Sequence, residues 1–548
     1  MNWEPRDTLL PHASAAARPA AKPMFAVSCG TKGGVHLAIV GGGLILDLGE
    51  AERTFVYRCQ DRFLAYTSLW RQRSIFFAAN DRHAQIYREH VGLQRALFDR
   101  IRDYTGLFFA KPLLEPLYVG CDVDRFELFP CQGFSRQVEA LPALAGFLLN
   151  QISPTYARLL AQLVHLLRQH GVAIDELEDD TAELAALVAR CADKGHYHAL
   201  VSAALARGDR VPRHTPTIEV TATDLWNLPD YRALAAFHRS SGRNRSDEPA
   251  RMFVKATRNS SGNLSAAVGP ENYAEEMQRL RTTAAEEAAY GPVEIERQTV
   301  GLRQEVELAP CLRTLGLTDA QLSICKLEQA RRRQDVGFLV QPALPTCDGE
   351  FAGIGLSYVI APDGRVTPFG PTAQIYRDRD HKHFQGAYLS ASVGCDIPSA
   401  FHDGMIELCR RYFALGYHGP INFDACRTRE GTYELIYDCN PRLTGVFPSL
   451  AVRDALQDDG IEVASVLTLG YRGEFVLDAL DAALESLDRD GLLLTASRST
   501  GVVLLPNLCR DRGFDLHLVN LAPREANQLL KELGALSAAA VHPTRLYW

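Results

Sequence analysis

The sequence predicts an α/β (α+β) protein of several domains, and three observations carry that prediction. A length of 548 residues, at roughly 100–200 residues per domain, makes about three or four domains or subdomains. Hydrophobic residues make up 47% and charged residues 23% of the chain, the balance of a globular protein rather than a disordered, collagen-like or coiled-coil one. Short apolar runs alternate with helical patterns in the first part of the chain. After Val211 the texture changes to short strands bounded by Gly, Asn, Asp and Pro. The organisation expected is a flexible segment at 1–34, an N-terminal α/β domain with a helical extension at 35–175, a core at 176–470 and a small C-terminal subdomain at 471–548.

Each element has its own reason. Pro11 to Pro23 is rich in Ala and Pro and carries no signal-peptide pattern. Val35 to Leu48 is interrupted by Gly41, Gly42 and Gly43, which predicts strand, glycine turn, strand. No Walker Lys and no G-x-G-x-x-G follow, so the triple glycine is weak as a phosphate loop. The runs RTFVYRC, SIFFAA and FELFP read as strands, and His83 to Tyr104 as a helix. Leu159, Leu160, Leu163, Leu166 and Leu167 share one helical face and predict a core-facing helix. Farther on, MFVK, GFLVQ, GLSYVI, INFDA and YELIYD read as strands, with helices at Tyr273 to Tyr290 and Phe401 to Leu415. The end of the chain predicts helices at Phe475 to Leu487 and Pro523 to Leu533, around strands at GVVLL and FDLHLV.

Composition also excludes. A net charge of −8 argues against a dominant nucleic-acid or anionic-membrane surface. No apolar run approaches the roughly 18 residues that span a bilayer. Thirteen cysteines, an odd number with no C-x-x-C, predict reduced thiols and a cytoplasmic protein.

Three segments carry chemistry. In Gly416 to Gly445 two strands flank a turn at Arg429-Glu430-Gly431. Side chains alternate across a strand, so Asp438 and Asn440 share a face about 7 Å apart, as do Asn422 and Asp424, and antiparallel pairing can set Asp424 beside Asp438. Two carboxylates and an amide oxygen form a hard-oxygen set that suits magnesium, above all beside phosphates. Arg442 follows and can grip a phosphate or a carboxylate. A hairpin with solvated acids is the plainer reading. In MFVKATRNSSGN a strand ends in Lys255, and Ser260, Ser261 and Gly262 form a small-residue loop able to present N–H groups to phosphates. In DVGFLVQPAL a buried strand ends at Gln341-Pro342, where the missing N–H of Pro342 breaks the ladder and leaves backbone groups for a flat heteroaromatic ring.

In this order the three segments resemble the ATP-grasp superfamily. The resemblance covers about 190 to 470 and is most specific at Asp438-Cys439-Asn440-Pro441-Arg442, where the family carries a motif like Glu-x-Asn-Pro-Arg; Asp for Glu is a departure that shortens the side chain by one methylene. Asp193-Lys194-Gly195, followed by Val211-Pro212 and a strand at Thr217 to Val220, resembles the entry to such domains. The stretch SYVIAPDGRVTPFGPTAQIYRDRDHKHFQGAYL is similar to the pheganomycin-type peptide ligases, with a turn at Pro362-Asp363-Gly364 and loop candidates Gln374, Lys382, Gln385 and Gly386.

The resemblance implies an ATP-grasp fold behind an N-terminal pre-ATP-grasp domain. It implies an ATP-dependent, ADP-producing ligase that joins a carboxylate to an amine through an acylphosphate, on amino acids or small peptides. Asp424, Asp438 and Asn440 would hold two magnesium ions. Lys194, Lys255, Ser260, Ser261 and Gly262 would meet the ATP phosphates, while the backbone at Val340, Gln341 and Ala343 would meet adenine. Asp348 or Glu350 would bind ribose, and Arg442 and Lys382 would act on the acylphosphate. The partners implied are small molecules, with no nucleic acid and no membrane; a homo-oligomer stays open. The alternatives are an ATP-grasp kinase or other phosphoryl-transfer enzyme, and a nucleotide-binding protein without catalysis.

Overall fold

A computed structural model of the chain describes residues 24–27, 64–71, 73–78, 81–122, 127–139, 141, 146–149, 154–174, 187, 190–191, 193–240, 250–257, 264–290, 337–343, 351–361, 363–376, 384–442, 444–469, 480–507 and 513–536. These residues form a mixed α/β structure around three sheets.

The first sheet contains β1 (Met24–Val27), β2 (Arg73–Ala78), β3 (Leu117–Asp122), β4 (Glu127–Pro130) and β5 (Gly146–Leu149), in the order β4-β3-β2-β1-β5. β5, β1, β2 and β3 run parallel and β4 pairs antiparallel with β3. Parallel neighbours need a crossover, and the helix Asp81–Thr105 makes the one between β2 and β3. That helix is where the sequence placed it. Ala84, Val91 and Phe98, seven residues apart, bury one side of it, and Leu97 and Ile101 bury another in a second core. The segment expected to precede the fold, 1–34, supplies the interior strand β1. The proposed strand pair at Val35 to Leu48 lies outside the described residues.

The small sheet contains β6 (Ile218–Thr221), β7 (Met252–Ala256), β8 (Ser265–Val268) and β9 (Gly337–Pro342), antiparallel in the order β6-β9-β7-β8. Alternation explains its two faces. Met252, Val254, Ala256, Phe338 and Val340 join the core beneath the helices Tyr231–Ser240 and Tyr273–Tyr290. Phe253, Lys255, Leu339 and Gln341 occupy the other parity.

The large sheet contains β10 (Gly353–Ile360), β11 (Val366–Tyr376), β12 (Phe384–Ser390), β13 (Gly419–Arg427), β14 (Tyr433–Asn440), β15 (Ser465–Leu469), β16 (Gly501–Asn507) and β17 (Gly513–Val519). Its order is β14-β13-β10-β11-β12-β15-β17-β16, antiparallel throughout. The strands read at GVVLL and FDLHLV therefore extend this sheet through β15 instead of forming a layer of their own. The odd-numbered positions Ile421, Phe423, Ala425, Leu435, Tyr437 and Cys439 join a core with Tyr197, Val201, Met405, Leu408 and Tyr412 from the helices Lys194–Ala206 and Ser399–Ala414. The even-numbered positions of β13 and β14 are left for the opposite face.

The helix Phe447–Asp458, buried along ten of its twelve residues, ties the first sheet's helices to the large one. Trp70 stacks on Phe369 and meets Phe447 edge-on at 5.7 Å. Its indole N–H donates to Asp454. Lys111, buried, pairs with Asp458 at 2.7 Å and donates to the Ala455 carbonyl.

Candidate active site

β13 and β14 pair with Asn422 opposite Asn440 and Asp424 opposite Asp438. The two carboxylates expected beside each other are direct cross-strand partners. Just beyond them the register shifts: Ala425 faces Leu435, so Ile436 and Tyr437 have no partner on β13. Tyr437 takes the left-handed conformation, with φ of 52°, uncommon for an aromatic residue. Packing holds it there, because its ring lies 4.8 Å from His214, 5.0 Å from His198 and 5.4 Å from Tyr197. The bulge turns the Ile436 carbonyl out of the ladder, and Lys255 Nζ donates to it.

Two lysines reach Asp438 from separate elements. Lys255 stands on β7 with Nζ 3.9 Å from Oδ2. Lys194 opens the helix Lys194–Ala206 with Nζ 3.6 Å from Oδ1. Its helix starts at an N-cap, Asp193, whose carboxylate accepts from the Gly195 and His196 N–H groups. The Lys194 N–H donates to the Thr257 carbonyl at the end of β7, which fixes the two lysines relative to each other. A Cβ at Gly195 would stand 2.7 Å from Glu219 Oε1 and 3.1 Å from the Thr257 methyl, so the Glu219 side chain would have to shift to admit one.

The remaining contacts form a network on the same face. Asn440 Nδ2 donates to Asp438 Oδ1 at 3.2 Å, and Asn440 Oδ1 accepts from Arg442 at 3.0 Å. Asp424 Oδ1 accepts from Asn422 Nδ2 and from Gln374 Nε2, each at 2.8 Å. Ser357 Oγ donates to Asn422 Oδ1 at 2.9 Å.

The charges respond to this arrangement. Burial, then the neighbouring Asp438 charge, pushes Asp424 up to about 7 against the pull of Asn422 and the lysines. Burial also acts upward on Asp438, but Lys194, Lys255 and Arg442 outweigh it and hold that carboxyl below its ordinary value. Burial lowers Lys255 to about 8 against the attraction of Asp438.

Of the residues singled out from sequence, Lys194, Lys255, Asp424, Asp438, Asn440 and Arg442 come together. Gln341 is buried on β9, where its Oε1 accepts from Thr217. Val340 is paired on both sides, with Ile218 and Val254, and turns its side chain into the small sheet's core. The Ala343 N–H donates to the Arg251 carbonyl. Gln374 and Gly386, read as loop residues, lie in β11 and β12, and Gln385 belongs to β12 too. Ser260, Ser261, Gly262, Asp348, Glu350 and Lys382 lie outside the described residues. Sequence reasoning missed Tyr376, Ser357 and the Ile436 carbonyl. The period-2 pattern of GIGLSY held a signal for Ser357, while nothing local marks the bulge.

No protein-family model matches the chain, and no curated protein matches it. Solved structures similar to the chain at low identity include the following three. The biotin carboxylase domain of the Hydrogenobacter thermophilus 2-oxoglutarate carboxylase aligns over 95% of this chain and 91% of its own, with 10% identity and a TM-score of 0.41. The N5-carboxyaminoimidazole ribonucleotide synthetase of Thermus thermophilus aligns over 94% and 99%, with 13% identity and a TM-score of 0.40. The L-amino acid ligase of Bacillus licheniformis aligns over 94% and 98%, with 11% identity and a TM-score of 0.42. Similarity at this level assigns no role to any residue of this chain.

Proposed function

We propose that the chain is an ATP- and magnesium-dependent ligase that joins a carboxylate to an amine, with amino acids or small peptides as substrates. The observation that carries this reading is the convergence on Asp438: Asp424 across the ladder, Asn440 on the same face, and Lys194 and Lys255 arriving from elements outside the large sheet.

The donor set fits a magnesium ion. Two carboxylates and an amide oxygen share one face, and Asp424 is held near neutral pH by burial and by Asp438, so a divalent cation would relieve the repulsion between them. Asp424, Asp438 and Asn440 would hold it. When bound, the ion neutralises phosphate oxygens as charge builds on them.

The chain's own residues supply the rest. Lys255 and Lys194 present ammonium groups to phosphates beside the acidic pair. Arg442, fixed by Asn440, offers a guanidinium to an anionic acylphosphate. The substrate carboxylate attacks the γ-phosphorus of ATP and the bond to ADP breaks. The amine nitrogen then attacks the acyl carbon, phosphate departs with one former carboxylate oxygen, and the nitrogen loses a proton. Activation is needed because a free carboxylate repels a nucleophile, whereas phosphate is a good leaving group. The peptide-type substrate rests on the resemblance of the 357–389 stretch to the peptide ligases; the Asp363-Gly364 turn of that stretch joins β10 and β11 here, with Gly364 at φ of 80°.

The test incubates the chain with ATP, Mg2+, amino-acid donors and hydroxylamine. A trapped hydroxamate with equimolar ADP is the expected result. ADP with a phosphorylated alcohol and no hydroxamate would mean a kinase and overturn the reading.

A further inference from the structure

We infer that Gln374, oriented by Tyr376, is a positioning residue that aims Asp424 at its metal; the inference rests on the metal-site reading above. Gln374 stands on β11, two strands from Asp424 on β13, with β10 between them. It reaches across because β10 carries glycine on this face. Gly355 is the direct partner of both Thr372 and Asp424. A Cβ on Gly353 would stand 3.4 Å from Gln374 Oε1 and 3.2 Å from the Tyr376 hydroxyl; one on Gly355 would stand 3.1 Å from Asn422 Oδ1. These glycines keep a trough open along the sheet, and the Gln374 amide crosses it.

The donors and acceptors fix the direction of the amide. The Tyr376 hydroxyl donates to Gln374 Oε1, so Nε2 faces Asp424 and donates to Oδ1. Asn422 Nδ2 donates to the same oxygen. Two amide donors thus occupy Oδ1, while Oδ2 accepts no hydrogen bond from the described residues. The carboxylate is held in one rotation, with one oxygen left for a cation. Without the Tyr376 hydroxyl, the Gln374 amide could flip and set Oε1 against the carboxylate.

Outer groups that orient metal ligands typically change metal affinity about ten- to a hundredfold. The experiment measures Mn2+ binding to the full chain without nucleotide, by loss of the free-ion electron paramagnetic resonance signal. Gln374→Met keeps the volume and removes the donor; it is expected to weaken Mn2+ binding about tenfold. Tyr376→Phe should weaken it less. The double variant should match Gln374→Met, because Tyr376 acts through Gln374. Unchanged affinity in both single variants, or additive losses in the double, overturns the inference. Should Gln374→Met fail to fold, Tyr376→Phe decides alone, and wild-type affinity in it overturns the inference. Asp438→Asn separates the two claims: if it binds Mn2+ like the wild type, the metal site itself is misassigned.

Discussion

Asp424 and Asp438 are direct cross-strand partners whose carboxyl groups are driven in opposite directions, Asp424 up to about 7 and Asp438 below its ordinary value. The ladder sets them side by side, and the asymmetry comes from the lysines, both of which form ion pairs with Asp438. Asp438 therefore belongs to the fold as well as to the site. Asp438→Ala would strip a partner from two buried ammonium groups and is expected to cost about 3 kcal/mol of stability. Among the described residues Asn440 touches a cation only at Arg442. Asn440→Ala should abolish ADP formation while shifting stability by less than about 1 kcal/mol. Circular dichroism melts and ADP release would part company in Asn440→Ala; near-normal turnover would show that the metal strand is misread.

Gly386 gives a test of the sheet. A Cβ there would stand 2.0 Å from the Thr468 carbonyl oxygen, at the pairing of β12 with β15. Backbone cannot yield as a side-chain tip can. Gly386→Ala is expected to destabilise by about 1–3 kcal/mol, seen as a lower urea midpoint. A loop residue, as the sequence suggested, would tolerate alanine with no change.

Two histidines predict a response to acid. Burial pushes His214 and His517 down to about 3. Their pKa values are lower folded than unfolded, so the unfolded chain binds more protons between about 3 and 6.5. Their contribution is complete above about 6.5 and is lost as pH falls through that window, at up to about 1.4 kcal/mol per pH unit for each. Asp424, held at about 7, works in the opposite sense from about 4 to 7, so the net slope is smaller. Comparing wild type with His517→Gln isolates the histidine: urea midpoints from pH 5 to 7 should rise less steeply in the variant. Parallel slopes would refute a neutral buried His517.

The alternation in INFDA and YELIYDCN made the acidic face legible, because a period of two needs only the local sequence. It put Asp424 and Asp438 on facing strands of one hairpin, but their direct pairing depends on the bulge, because the register set at the turn would place Asp424 opposite Ile436. The bulge at Ile436 and Tyr437 was not legible: no Gly or Pro marks it, and the strain at Tyr437 is held by His198 and His214, far back in the chain. Gln374 and Gly386 read as loop residues in the sequence because the charged run 377–383 breaks the apolar pattern between them, although the strands continue to Tyr376 and resume at Phe384. The places of β1 and of β16 and β17 were hidden for a different reason. Which strand a strand pairs with is a long-range choice that its own residues do not encode.

Lys255 offers the last prediction, because it is a costly residue to keep. Its side chain is only 8% exposed, and burial pulls its ammonium down to about 8. Removing one partner of a buried ion pair is costly when the other is left alone, but Asp438 keeps Lys194. Ile436 would lose one donor in Lys255→Met, but the chain would shed a desolvated charge, and the two effects oppose each other. Stability should therefore change little. Nucleotide binding should not be spared: a charge-assisted hydrogen bond is worth about 1.5–3 kcal/mol, so ADP affinity in the presence of Mg2+ should fall about ten- to a hundredfold. Titration calorimetry gives the affinity and a thermal melt gives the stability. A large drop in melting temperature with unchanged ADP affinity would make Lys255 a prop for the β14 bulge, and would remove it from the phosphate site.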